Sequence, residues 1–88
     1  MAGSYFHVGN AEMRSEEKED FKLLYYIAVV GAAYGIKVEQ VDTDGSLTME
    51  ESKGLTHSYN EVEALVKTFM KCAVTPITLH DVIDDFIG

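Results

Sequence analysis

The sequence predicts an all-α fold, a small domain of about four helices. Two observations point there. Apolar residues recur at helical spacing through most of the chain, and Ser or Thr followed by acids stands ahead of each apolar run. Nearly half of the 88 residues are apolar, enough for one modest core and too few for two. Residues 1–14 show no clear period and read as an N-terminal arm, anchored by Tyr5, Phe6 and Val8, with Gly9-Asn10 as a turn. Residues 15–88 form the single helical domain.

Ser15 opens the first helix as an N-cap before Glu16 and Glu17. Phe21, Leu24, Tyr25, Ala28, Val29 and Ala32 fall on one face, and Leu23, Tyr26, Ile27, Val30 and Tyr34 cover much of the rest. A helix apolar nearly all round must be buried on most sides. It is therefore expected either at the centre of the domain or in a homodimer through Leu23–Ile36. Gly35 ends it as a C′ residue. Ile36, Val38 and Val41 alternate with Lys37, Glu39 and Gln40, so a short extended segment follows. Thr48 caps a short helix from Met49 to Lys53, closed by Gly54. Ser58 and Glu61 form a capping box for the next, with a buried stripe of Val62, Leu65, Val66 and Phe69 joined by Cys72. Thr78 caps the last, which carries Leu79, Val82, Ile83, Phe86 and Ile87.

The most specific stretch is Gln40-Val41-Asp42-Thr43-Asp44-Gly45-Ser46-Leu47-Thr48-Met49-Glu50-Glu51. It meets the pattern D-x-[DN]-x-[DN]-G-x₅-E at every fixed position but the first, where Gln40 replaces Asp. On these residues the chain resembles the EF-hand family, with Leu47 where the family keeps an aliphatic residue for a short β bridge. The resemblance implies a Ca²⁺ site built from Gln40, Asp42, Asp44, the Ser46 carbonyl, Thr48 through a water, and a bidentate Glu51. With a neutral first ligand its affinity is expected to be weak, on the order of 10⁻⁵ to 10⁻³ M. Ile77, Thr78 and Asp81 repeat the spacing of Leu47, Thr48 and Glu51, but Met70–Val74 has no carboxylate. The second hand would be degenerate, and the implied function is a calcium-binding regulatory or structural module. The same residues carry a plainer message. Asp44-Gly45 is also a hairpin signal, and Thr48 with Glu51 is a capping box without any metal.

The net charge of −8 argues against nucleic acid as a partner. Much of it sits at expected helix starts (Glu16, Glu17, Glu19 and Asp20; Glu50 and Glu51; Glu61 and Glu63; Asp81), where it complements the helix dipole. The longest uncharged apolar run, Leu23–Ile36, is 14 residues, too short to span a bilayer. No internal disulfide can form with Cys72 alone, and no signal-peptide pattern is seen, so a reducing cytoplasm is expected. Cys72 reads as an inert core residue, His7 and His57 as surface residues, and His80 with Asp84 as a surface ion pair. No phosphate loop, nucleophile elbow, zinc helix or C-x-x-C occurs, so no enzyme is expected. The alternative function is a small acidic interaction or inhibitor protein, DNA-mimicking in one version, that docks on a basic protein without metal.

Overall fold

The computed structural model describes residues 4–13 and 21–87. Strands β1 (Ser4–Met13), β2 (Phe21–Val30), β3 (Ala33–Asp42) and β4 (Leu47–Thr56) are followed by helix α1 (Tyr59–Cys72), a 3₁₀ turn (Pro76–Thr78) and helix α2 (Leu79–Ile87). The strands pair in chain order as one antiparallel sheet.

This overturns the all-α expectation, and the EF-hand pair with it. The stretch expected as one buried helix is β2 and the start of β3, folded back on itself at Gly31-Ala32. The physical reason lies in its burial. Leu23, Tyr25 and Ile27 are buried on one face, while Leu24, Tyr26 and Ala28 occupy the other, so both faces of the strand are apolar. A strand of that kind shows no alternation and fits any period. The short helix expected from Met49 to Lys53 is likewise part of β4. The segment expected as an arm supplies β1, one edge of the sheet. Ser15 and Glu16 to Asp20 lie outside the described residues.

The helices pack on one side of the sheet. Leu23, Tyr25 and Ile27 of β2 and Ile36 and Val38 of β3 meet Val62, Val66 and Phe69 of α1, with Val74, Leu79 and Ile83 completing the core. Burying each of the larger aliphatic side chains contributes about 1.5–3 kcal/mol. The Tyr25 hydroxyl, carried into this layer, donates to the Val74 carbonyl at 2.8 Å. That bond satisfies a polar atom that would otherwise be costly to bury. Burial pushes the Tyr25 hydroxyl pKa up to about 12.

Both helices are cued locally. Ser58 is the N-cap of α1 and its hydroxyl accepts from the Glu61 N–H at 3.3 Å. At the other end Ala73 turns left-handed, and the Ala73 and Val74 N–H groups close on the Met70 and Phe69 carbonyls. Cys72, placed with the buried stripe from the sequence, is exposed instead. Thr78, expected to cap the last helix, bonds its hydroxyl back to Thr75, the residue before the 3₁₀ turn.

The two edges of the sheet differ. Along β3–β4 the register runs regularly from Val41↔Leu47 to Ile36↔Ser52, then jumps to Tyr34↔Thr56. Lys53, Gly54 and Leu55 thus bulge opposite the single residue Gly35. The bulge needs its glycines. Gly54 takes φ 66°, and a Cβ on Gly35 would stand 2.0 Å from the Ser52 carbonyl oxygen. Gly35, expected to end a helix, instead lets two backbones close on each other.

Candidate functional site: the uncovered face of the sheet

The register assigns every strand position to a face. Tyr5, His7 and Asn10 of β1, Lys22, Leu24, Tyr26, Ala28 and Val30 of β2, Lys37, Glu39 and Val41 of β3, and Leu47, Met49 and Glu51 of β4 lie opposite the helices. No described helix covers this face. It divides into two zones.

Its centre is a polar network joining all four strands. The Tyr5 hydroxyl on β1 donates to both carboxylate oxygens of Glu51 on β4, at 2.9 and 3.0 Å. The intervening row holds only Ala28 and Gly35, so nothing bulky stands in the way of the Tyr5 ring. Beneath it lies the Lys37 ammonium, 4.5 Å from the Tyr5 ring centre and 5.6 Å from that of Tyr26. Lys37 also pairs with Glu39 at 3.2 Å, and Glu39 accepts from the Tyr26 hydroxyl at 3.0 Å. The bond to the Glu51 carboxylate raises the Tyr5 pKa, since it favours the protonated phenol. The His7 ring tilts against Tyr26 and bonds Asn10. This zone is internally satisfied.

The second zone lies toward the β3–β4 turn and is apolar. Leu24, Val41, Leu47 and Met49 are neighbours across β2, β3 and β4, with Val41 directly opposite Leu47. Leu47 and Met49 are 52% and 47% exposed. Glu39 stands within it, between Leu24 and Met49 in one cross-strand row, so Val41 neighbours those two only diagonally, and Asp44 is exposed in the turn. Lys22, opposite Val41, is the base on its flank.

The residues expected to hold calcium are separated by this geometry. Residues 43–46 are the turn of a hairpin, closed by the Asp42 N–H on the Ser46 carbonyl and the Gly45 N–H on the Asp42 carbonyl, both at 3.0 Å. The Ser46 carbonyl, an expected ligand, is therefore already engaged. Asp44 accepts from the Ser46 N–H at 2.8 Å, and hydrogen bonding from the Ser46 side chain, with that backbone bond second, holds its carboxyl below the usual range. Gln40 donates to Asp42 at 3.0 Å. Gln40, Asp42 and Thr48 lie on the helix-covered side, whereas Glu51 lies on the opposite side beside Tyr5. Side chains on opposite faces of one sheet cannot enclose one ion. Among the described residues, no group of three His, Cys, Asp or Glu side chains comes together to hold a metal.

The remaining candidates fall elsewhere. His80 stands 3.5 Å from Glu50 rather than pairing with Asp84. His57 is exposed. Leu23, Ile27 and Ile36, expected on a dimer-forming helix, lie beneath α1 in the core. Among the described residues, no helix is long and apolar enough to cross a membrane. The sequence hides the apolar zone because Leu47 and Met49 fall inside the loop pattern. Their alternation with Thr48 and Glu50 is the strand signal that would have found it.

A family model described as a family of unknown function, DUF6514, matches residues 5–88. The chain belongs to that family. A search of curated proteins found no match, and a search of solved structures found none. The matched span runs from β1 through α2 of this chain.

Proposed function

We propose that this chain is an acidic interaction module that docks, through the uncovered face of its sheet, on a basic protein surface with an apolar centre. The observation that carries it is the zone of Leu24, Val41, Leu47 and Met49. An antiparallel sheet with one side in water ordinarily alternates apolar-in and polar-out. Here apolar side chains stand outward as neighbours on three adjacent strands, the arrangement of a contact surface. The net charge of −8 selects the partner's sign. Long-range attraction would speed encounter with a Lys- and Arg-rich surface, and Leu47 and Met49 would supply the buried contact. An amphipathic helix with a basic border has that chemistry. The function involves no catalysis and no metal.

Selection of displayed peptides on the full chain tests this. Enriched peptides should combine Lys or Arg with spaced apolar residues and bind less tightly as salt rises. The double variant Leu47→Lys, Met49→Lys should keep the native amide spectrum and weaken binding about tenfold or more. Absence of such enrichment, or binding indifferent to the double variant, would refute the proposal.

A further inference from the structure

The sheet has a second feature, independent of its uncovered face. We infer that the outer edge of β1, over Ser4–His7, is where two copies of this chain meet, β1 against β1 in antiparallel pairing.

Among the described residues nothing pairs with that edge, and its backbone donors and acceptors form a template for another strand. The opposite edge is protected. β4 carries Glu50, Glu51 and Lys53 and is broken by the bulge at residues 53–55. β1 has no such defence over Ser4-Tyr5-Phe6-His7, which contains no formal charge and no proline. Its own register irregularity falls after His7, at Val8, and leaves those four residues in regular pairing with β2.

The side chains say the same. Phe6 lies on the helix-covered side, opposite the fully buried Ile27, yet is 54% exposed, whereas further along the same strand Gly9 lies against Met70 of α1. Tyr5, on the other face, is 43% exposed. Aromatic surface thus stands open on both faces of an unpaired strand. A twofold axis perpendicular to the sheet would set Phe6 beside its counterpart on the helix-covered side. Tyr5 would approach the partner copy on the opposite face. Such an interface is isologous, so the strand must complement itself.

Charge selects the occupant. Two copies each carry −8 and repel wherever their carboxylates face each other. Screening confines that repulsion to about 8–10 Å at moderate ionic strength, so an uncharged strip is enough to let them touch. A basic partner, by contrast, would find no carboxylate on Ser4–His7 to bind. The strip suits a second copy. The interface is small, and the dimer should be correspondingly weak.

Sedimentation equilibrium of the full chain should show a monomer–dimer equilibrium. Amide exchange at low and high protein concentration should show slowing confined to β1. Phe6→Asp should weaken the dimer about tenfold or more while keeping the native amide spectrum. Leu47→Lys with Met49→Lys, on the other surface, should leave it unchanged. A chain monomeric at every concentration would overturn the inference. So would a dimer unmoved by Phe6→Asp, or concentration-dependent slowing in β4 or the uncovered face. Should Phe6→Asp fail to fold, the exchange pattern of the native chain decides alone.

Discussion

The two faces of the sheet are built from adjacent residues of the same strands and obey different rules. On the covered face Leu23, Tyr25, Ile27, Ile36 and Val38 are held by α1 and α2, and the one hydroxyl among them is matched to a carbonyl. On the other, no described helix takes that role. Tyr5, Tyr26, Lys37, Glu39 and Glu51 join the strands to one another instead, each polar group answering another. A sheet can be secured by a layer laid over it or by side chains laced across it. The lacing ends before the β3–β4 turn, and there Leu47 and Met49 remain open. The difference separates residues held in packing or hydrogen bonds from those left open to solvent.

Substitutions should expose the contrast in graded fashion. Phe69→Ala empties the centre of the covered layer and should cost about 3–5 kcal/mol in denaturant unfolding. Leu47→Ala on the opposite face should fall within about 0.5 kcal/mol of the native chain. Comparable losses for the two would mean that the outer face is also packed against something. Gly35→Ala should come next, costing about 1–3 kcal/mol, because its methyl must displace the Ser52 backbone rather than a yielding side chain. A neutral result would show that the β4 bulge can relax away from β3.

Tyr25→Phe should be the mildest of the core changes, at about 1–2 kcal/mol near neutral pH, since it leaves the Val74 carbonyl unpaired. Its signature is the pH dependence. The native hydroxyl holds its proton up to about pH 12, while an unfolded tyrosine releases it near 10.0. The unfolded state therefore binds fewer protons across that interval, and stability falls as pH rises through it. Below about pH 10 the contribution is fully present. Unfolding curves taken through the interval should show this component in the native chain and lack it in the variant.

The helices were legible because their cues are local. Ser58 with Glu61, and the stripe of Val62, Val66 and Phe69, specify α1 within one segment. The central hairpin was not. Leu23–Ile36 is apolar on both faces, and only its content of Tyr, Ile and Val, with Gly31-Ala32 as a corner, marks it as two strands. Asp44-Gly45 carried the correct hairpin message all along. The ion-loop spacing outweighed it because a pattern of residue types says nothing about which side of a sheet each side chain takes. Glu51 answers Tyr5, a residue 46 positions away, and no local motif records such a partner.

The bulge opposite Gly35 has a consequence for growth. A sheet with two receptive borders could add copies end to end without limit and become a fibre. With Lys53 and Gly54 buckling one border, the edge pairing proposed above would use the other, and joining would consume it. On that proposal assembly by strand addition would stop at a pair, with open-ended growth checked by three residues crowded against one.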